Sequence, residues 1–253
     1  MRFASLGSGS RGNALIVEAG TTRILVDCGF GQRELTQRLA RVGLLPQEID
    51  AVVVTHEHSD HVSGVARCAA RFKFLVHASH GTCVAAGLAD KIEVSRFDSH
   101  QAFAIKDLEI QPFPVPHDAR EPTQFVIGDG NHRLGVLTDA GSVTPHMVAM
   151  LNGCDALVLE CNHDRDLLRN GSYPQSLKQR IASRLGHLDN AAAAALLAQI
   201  DRRRLRHVIA AHLSEQNNRP DLAQAALAGS LGCIPSEVSV ADQEHGFNWR
   251  DIG

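Results

Sequence analysis

Aromatic residues are scarce in this sequence. Phe, Trp and Tyr together make up 4% of 253 residues, with a single Trp and a single Tyr. Because proteins that bind single-stranded nucleic acid commonly stack the bases on aromatic side chains, stacking on exposed aromatics is not expected to be the main binding device here. Apolar residues make up 44% of the chain, so the predicted core is mostly aliphatic.

Paired cysteines, long apolar runs and a large net charge are also missing. The six cysteines are scattered without a CxxC pair, which argues against a disulfide framework. No run approaches the roughly 18 apolar residues of a membrane span, and the N-terminal MRFASLGSGS has no apolar signal-peptide region. A net charge of −3 excludes a globally basic nucleic-acid binder. We therefore predict a cytoplasmic protein with no membrane partner.

One part of the chain departs from this near-neutral balance. Residues 165–206 contain nine Lys or Arg against three Asp. Two interpretations remain open at this point. The cations either decorate solvated helix faces or form a local wall that binds an anion such as phosphate.

The order of predicted elements indicates an α/β protein. Apolar runs and turn signals predict strands at 2–6, 14–18, 23–27, 51–54, 74–77, 108–115, 124–127, 133–137, 156–160 and 207–211. Helical patterns cover 32–42, 62–71, 79–86, 145–151, 174–185 and 190–200, and a last helix begins at residue 220. Strands that first meander and then alternate with helices predict two sheets flanked by helices. We expect one domain over residues 1–253.

The stretch THEHSDHVSGV, residues 55–65, follows the predicted strand 51–54. His56, His58, Asp60 and His61 fall within six residues, in the pattern H-x-H-x-D-H. A single His is usually an ordinary polar residue, but four such groups at the end of a strand favour a metal site. Imidazole and carboxylate suit Zn²⁺ or Mn²⁺, and Fe²⁺ is also compatible.

Four side chains cannot complete the coordination of two ions, so further ligands are needed. His117, Asp139 and His212 each follow a predicted strand, in VPHDA, VLTDAG and IAAHLSEQ. A carboxylate at Asp139 can bridge two ions, which an imidazole cannot do. The sequence therefore predicts a site for two divalent metal ions.

This order of motifs resembles the metallo-β-lactamase fold hydrolases, and the resemblance covers the whole chain. It implies an αββα sandwich of two mixed sheets flanked by helices, with a two-metal site at one edge. Two ligand sets joined by one carboxylate are implied: His56, His58 and His117 in the first set, Asp60, His61 and His212 in the second, and Asp139 as the bridge. Asp27, in LVDCG, would orient the ligand loop.

Finer motifs resemble the YycJ-type (WalJ-type) exonuclease subfamily of that fold. They are SLGSGSRGNALIV, THEHSDHVSGV, VPHDA, ECNHD, YPQSLKQRIASRLGHLDN and AHLSEQNN, spread over residues 5–218. The resemblance implies a phosphodiesterase that degrades nucleic acid from the 5′ end. DNA and RNA are not distinguished by these residues.

Two metal ions suit phosphodiester hydrolysis because a bound ion lowers the pKa of water from 15.7 to roughly 7, which produces a metal-bound hydroxide. The carboxylates of Asp60 and Asp139 would partly neutralise the positive charge of the ions at this catalytic centre. His187, in LGHLDN, resembles the late non-ligand histidine of RNase Z-like enzymes, which implies a proton donor to the leaving oxygen. The alternative is a histidine that only begins a helix. His163, in ECNHD, is either a proton relay or a structural residue, and Glu160 can orient either histidine.

Five residues are candidates for substrate binding. Ser10 and Asn13 lie in the Gly-rich GSGSRGN, and Ser214 and Asn217 follow His212. Lys178, in the basic stretch, can hold a backbone phosphate. Ordinary loop and turn chemistry is the alternative interpretation of the Ser and Asn residues.

Three functions are compatible with these patterns. The first is a two-metal nuclease, and the second is a hydrolase of a small phosphodiester, thioester or lactone with the same metal site. The third is a binding module that has kept only the fold, which the complete set of seven ligands disfavours. The sequence does not indicate whether the protein has protein partners.

Overall fold

Fourteen strands and nine α-helices are described by a computed structural model that covers residues 1–253. The strands are β1 (Arg2–Gly7), β2 (Ala14–Ala19), β3 (Thr22–Val26), β4 (Ala51–Val54), β5 (Leu75–Ser79), β6 (Ser95–Phe97), β7 (Phe103–Ile105), β8 (Leu108–Pro114), β9 (Thr123–Gly128), β10 (Arg133–Leu137), β11 (Ala156–Glu160), β12 (His207–Ala211), β13 (Ser239–Val240) and β14 (Phe247–Asp251). The helices are α1 (Gln32–Arg41), α2 (Ser59–Val62), α3 (Val65–Phe72), α4 (His80–Ala85), α5 (Pro145–Leu151), α6 (Arg165–Asn170), α7 (Gln175–Ile181), α8 (Asn190–Gln199) and α9 (Pro220–Leu231).

The strands form two seven-stranded mixed sheets. Their orders are β14-β1-β2-β3-β4-β5-β6 and β13-β12-β11-β10-β9-β8-β7. In the first sheet, β14, β1, β2 and β3 are antiparallel, and β3 to β6 are parallel. The second sheet repeats this arrangement, with antiparallel β7 to β10 and parallel β10 to β13. The predicted α/β class with two mixed sheets flanked by helices is confirmed.

Three buried clusters explain why the central strands are apolar on both faces. One cluster joins the inner faces of the two sheets and includes Val53 of β4 and Val158 of β11. Val52 instead packs with α1 and α3 on the outer face of the first sheet. Leu157 packs with α5, α8 and α9 on the outer face of the second. Because successive side chains of a strand point to opposite faces, a strand covered on both sides becomes a continuous apolar run.

Five elements were not predicted from the sequence, and four of them are the strands at the sheet edges: β6, β7, β13 and β14. An edge strand is paired on one side only and is often short and polar, so its sequence has little of the apolar signal of a central strand. The fifth missed element is the six-residue helix α6.

Two predicted helices have different bounds in the structure. The helix predicted at 62–71 corresponds to α3, which begins at Val65; the short helix α2 ends at Val62, and Gly64 lies between them. A Cβ atom on Gly64 would lie 1.9 Å from the carbonyl oxygen of Phe30, so this turn packs against the chain that follows β3. The helix predicted at 174–185 is shorter, because α7 ends at Ile181.

The longest helix, α9, has 12 residues, and no helix of the chain combines the length and apolar character needed to cross a bilayer.

Candidate dinuclear metal site

The predicted ligands lie where strands of the two sheets end. β4 ends at Val54 and the chain passes through His56 and His58 into α2, which carries Asp60 and His61. Asp139 follows β10, and His212 follows β12 directly. Because β10, β11 and β12 are parallel, their carboxyl ends share one edge, where liganding groups from different strands can meet.

The seven predicted ligands converge into overlapping groups. Ligand atoms lie within 4.8 Å of one another in three of these groups: His56, His58 and His117; Asp60, His61 and His212; and His56, His61 and Asp139. The structure therefore brings together both sets that the sequence resemblance implied.

Asp139 lies between the two sets. Its Oδ2 is 3.1 Å from Nε2 of His61, in the second set. Its Oδ1 is 3.8 Å from Nε2 of His117, in the first set, and 3.7 Å from Nε2 of His212. A buried carboxylate that reaches donors of both sets is suitably placed to bridge two ions.

Two buried ligand atoms without a hydrogen-bond partner are consistent with a metal ion at this position. Nε2 of His56 is buried and makes no hydrogen bond, although Nδ1 of the same ring is 2.9 Å from Oγ1 of Thr55. Oδ2 of Asp139 also lacks a partner of hydrogen-bond geometry. Since buried polar atoms are normally hydrogen-bonded, these two atoms and their imidazole and carboxylate neighbours match the donor set of Zn²⁺, Mn²⁺ or Fe²⁺.

Burial also prepares two of the imidazoles for metal binding. It lowers the pKa of His117 to about 4, and it holds the pKa of His56 well below its usual value. Burial raises the pKa of the Asp60 carboxyl, but the charge and hydrogen-bond interactions with His61 and His212 outweigh burial, and the net effect is a lowered pKa. The result at neutral pH is neutral His56 and His117 and an ionised Asp60, the forms in which these groups bind metals.

Asp27 orients His61 from the end of β3. Its Oδ2 is 2.7 Å from Nδ1 of His61, and it also accepts hydrogen bonds from the backbone N–H and the hydroxyl of Thr55, both at 2.8 Å. An ionised carboxylate can only accept hydrogen bonds, so Nδ1 of His61 carries the proton and Nε2 is left for a metal. The supporting role of Asp27 stays a prediction, and Thr55 is a further residue held by the same carboxylate.

Backbone and amide groups hold His117 and His212. Nδ1 of His117 donates to the carbonyl of Gly186 at 2.9 Å, which directs Nε2 toward the other ligands. His212 adopts a left-handed backbone, with φ of 54°, and its N–H donates to the hydroxyl of Ser8 at 2.9 Å. Asn162 donates to the His212 carbonyl at 3.1 Å. Neither Ser8 nor Asn162 was singled out from the sequence, since their partner lies far away in the chain.

His187 lies beside the metal ligands without belonging to either set. Its Nδ1 is 2.7 Å from Oε1 of the fully buried Glu160 and 3.3 Å from Oδ1 of Asp139. Burial lowers the pKa of His187, but the charges of Glu160 and Asp139 outweigh this effect and raise it to about 9. Glu160 itself is held by the N–H groups of Ala140 and Leu188. A protonated His187 has a second N–H with which to face a substrate.

One cavity of about 350 Å³ contains these groups and two of the predicted substrate-binding residues. Ser10 and Ser214 line it together with ligands of the metal site and His187. It also contains Tyr173, the only tyrosine of the chain, and Arg180, whose Nε is 2.5 Å from Oδ2 of Asp118. A lone tyrosine has no pattern in the sequence, so its position here was not predicted. We call this space the metal cavity.

Asn13 and Asn217 are buried and do not line the metal cavity. The amide of Asn13 donates to Oδ2 of Asp60 at 3.1 Å and to the Gly9 carbonyl at 3.0 Å, so its position supports a ligand. Asn217 donates to the hydroxyl of Ser214 at 3.3 Å, which positions that serine. Direct contact of either amide with substrate stays a prediction.

His163 and Lys178 also lie outside the metal cavity. Both line a second cavity on the far side of α7, and Nζ of Lys178 donates to the carbonyl of Arg169 at 2.8 Å. His163 is 3% exposed and its Nδ1 has no hydrogen-bond partner. Of these two histidines, His187 is hydrogen-bonded to Glu160, and no hydrogen bond joins Glu160 to His163.

The basic stretch divides between several surfaces. Arg180 is the only Lys or Arg of residues 165–206 that lines the metal cavity, while Arg165 and Arg169 line the second cavity with Lys178. Arg203 and Arg204 pair instead with Asp201 and Asp155. The hypothesis of an anion-binding wall stays a prediction for the cations of residues 165–180, which line the two cavities.

The fold and the ligand arrangement define a class of protein, and comparisons with known proteins agree. Residues 22–212 match the family described as Beta-lactamase superfamily domain. The chain belongs to the metallo-β-lactamase superfamily. The YhfI protein of Bacillus subtilis, a metallo-beta-lactamase fold protein, superposes with a TM-score of 0.77 over 98% of both chains at 16% identity. Zn²⁺-bound PqqB of Methylobacterium extorquens superposes with a TM-score of 0.76 over 99% of this chain and 100% of its own, at 19% identity.

Two relatives in sequence have more specific names. This chain is 33% identical over 245 residues to the exodeoxyribonuclease WalJ of Streptococcus pneumoniae, which covers 94% of this chain and 91% of the relative. It is 34% identical over 235 residues to the exodeoxyribonuclease YycJ of Bacillus anthracis, covering 91% and 89%. The resemblance to the YycJ-type subfamily is confirmed.

Proposed function

We propose that this protein is a dinuclear-metal phosphodiesterase that degrades DNA as an exonuclease from the 5′ end. The observation that carries the proposal is that ligands of both sets and His187 line a single cavity. The two exodeoxyribonuclease relatives, similar over nearly the whole chain, support DNA as the substrate. The 5′-to-3′ direction comes from the subfamily resemblance, and the cytoplasmic location remains a prediction.

We assign the first ion to His56, His58 and His117 and the second to Asp60, His61 and His212, with Asp139 bridging. The overlapping distances among these ligand atoms support this division. Zn²⁺ and Mn²⁺ both suit these donors, with Fe²⁺ as a further candidate. When bound, the ions supply an activated water and stabilise the charge on the phosphoryl oxygens. We treat residues 1–253 as one domain, because one buried cluster joins both sheets.

The chain's own groups have three further tasks in this reaction. His187, held by Glu160 at 2.7 Å, donates a proton to the leaving sugar oxygen. Ser10 and Ser214 donate hydrogen bonds to phosphate oxygens from the rim of the metal cavity. Arg180 offers a positive charge to the strand, and Tyr173 offers a ring for one base to stack on.

The test is cleavage of end-labelled single-stranded DNA and RNA, with and without a 5′-phosphate, in the presence of Mn²⁺ or Zn²⁺. Progressive release of nucleotides from the 5′ end of DNA is expected, and the Asp139→Ala protein should release none. A protein that is loaded with metal and hydrolyses an aryl phosphodiester, but cleaves no polymer, would contradict the proposal and favour a small ester as substrate.

A further inference from the structure

A second cavity of about 690 Å³ shares His187 with the metal cavity. Helix α7 forms the wall between the two. Its Leu177, Arg180 and Ile181 line the metal cavity, whereas Gln175, Lys178 and Gln179 line the second cavity. Each set has the spacing i, i+3, i+4 that marks one face of a helix, and the two sets are displaced by two residues. No residue of α7 is buried, which agrees with a helix that has an open space on both sides.

The second cavity is lined by more positive than negative charge. Arg165, Arg169 and Lys178 line it, and Asp189 is the only acidic residue that does so. Asp189 is already engaged, because one oxygen accepts from the N–H of Ala192 at 2.9 Å and the other from Arg165 at 2.7 Å. Arg169 pairs only with the exposed Asp166, and exposed pairs are weak. Lys178 donates one hydrogen bond, to the carbonyl of Arg169, and forms no ion pair. Lys178 and Arg169 are therefore both available to an anion.

The second cavity is also lined by a buried polar side chain and by apolar residues. His163 is 3% exposed, and its Nδ1 has no hydrogen-bond partner although most buried polar atoms have one. The half-buried Val143 and Ala192 contribute apolar surface. A volume of this size with mixed apolar and polar lining is typical of a small-molecule site. An anion with a flat apolar part and polar edges, such as a nucleotide, fits these features.

We propose that the second cavity binds the nucleotide on the leaving-group side of the scissile phosphate. This rests on the proposed function. Since His187 protonates the leaving oxygen, the nucleotide that carries this oxygen lies on the His187 side of the metal cavity, where the second cavity begins. Its base lies against Val143 and Ala192, and Lys178 and Arg169 hold the phosphate on the other side of its sugar. The DNA strand thus passes from the metal cavity, which Tyr173 lines, around α7 to the second cavity, which Lys178 lines.

Two variants test this site at exposed or half-buried positions. Lys178→Glu reverses a charge, and Gln179→Trp places a bulky ring in the cavity from an exposed residue. The matched control is Arg203→Glu, a charge reversal in the same basic stretch at a residue that is 88% exposed and lines neither cavity. All three proteins should keep the unfolding transition of the parent chain.

Each variant is assayed on a DNA oligonucleotide and on bis(p-nitrophenyl) phosphate, which has no second nucleotide. We expect kcat/KM for the oligonucleotide to fall at least tenfold further than kcat/KM for the aryl diester in both cavity variants, mainly through KM. Introduced into the metal-free Asp139→Ala chain, the same changes should weaken binding of a fluorescent oligonucleotide, and Arg203→Glu should weaken it far less.

The possible failures are distinguishable. If the parent protein cleaves DNA but both cavity variants lose the two activities equally, or lose neither, the second site is wrong and the nuclease assignment stands. If the parent protein hydrolyses the aryl diester and never DNA, the proposed function fails first and the second site falls with it.

Discussion

Oδ2 of Asp27 lies 2.7 Å from Nδ1 of His61, and both side chains are buried. The contact joins the end of β3 to α2. Asp27 reaches this position with a left-handed backbone, at φ of 63°, a conformation that Asp tolerates better than most residues. The carboxylate fixes the proton on Nδ1 of His61, so the orientation of one proposed metal ligand depends on a residue 34 positions earlier.

Asp27→Asn should weaken metal binding without unfolding the protein. The amide keeps the size of the carboxylate but removes the charge that raises the basicity of His61. Loss of such a supporting group typically lowers metal affinity about 10–100-fold. Competition with a chromogenic chelator measures the affinity, and Asp90→Asn, at an exposed residue, is the control. Equal affinities in the two variants would contradict the role given to Asp27.

Asp139→Ala and His58→Ala should each abolish turnover and deplete metal. Asp139 lies between both ligand sets, so its removal affects both ions, whereas His58 belongs to one set. Metal content of purified protein by mass spectrometry, together with diester hydrolysis, measures both effects. His100→Ala is the control, because this side chain is 70% exposed and belongs to none of the ligand groups. Full activity in either site variant would overturn the metal assignment.

His187→Ala should slow DNA cleavage while both ions are retained. Loss of general acid catalysis typically costs about 10²–10⁴-fold in rate. The effect should be much smaller for bis(p-nitrophenyl) phosphate, because nitrophenolate leaves without a proton. Glu160→Gln should act in the same direction, since Glu160 holds His187. An equal loss on both substrates would indicate a structural role, and loss of metal would make His187 a ligand.

Gly29→Ala should destabilise the protein and disturb the metal loop. A Cβ atom at Gly29 would lie 1.9 Å from the carbonyl oxygen of Asp60, and overpacking of this kind typically costs about 1–3 kcal/mol or more in the free energy of unfolding. Gly31→Ala is the matched control, with no atom within 4 Å of its added Cβ and φ of −68°. Because Gly31 precedes α1 as its N-cap, its change should cost no more than about 1 kcal/mol. Urea unfolding measures both, and similar losses would contradict the close packing of Gly29.

Tyr173→Ala should raise KM for DNA, whereas Tyr173→Phe should keep the parent value. Stacking of one base on an aromatic ring contributes about 1–3 kcal/mol, so the expected increase in KM is roughly 5- to 150-fold. Tyr173 makes no contact with the metal ligands in the hydrogen-bond network, so metal content should not change. If Tyr173→Phe raised KM for DNA as much as Tyr173→Ala, stacking of a base on the ring would be contradicted.

Much of this protein was readable from local patterns in the chain. The central strands are covered on both faces, so their sequences are continuous runs of apolar residues. The proposed ligands come shortly after these runs. His56, His58, Asp60 and His61 are therefore visible as a group, and Asp139 and His212 are visible by their position after a strand. Parallel strands end at one sheet edge, so residues at their carboxyl ends meet without any further signal.

Tertiary structure alone decided the rest. The four edge strands owe their conformation to a neighbour on one side, so their own sequences say little. Asn13, Asn162 and Asn217 are similar polar loop residues in the sequence, and only packing decides that they hold ligands or Ser214. No residue of α7 is buried, yet one face of the helix lines the metal cavity and the other lines the second cavity. Local sequence determines the central strands and the positions where ligands can follow them, whereas packing between distant segments determines the edge strands and which side chains share a cavity.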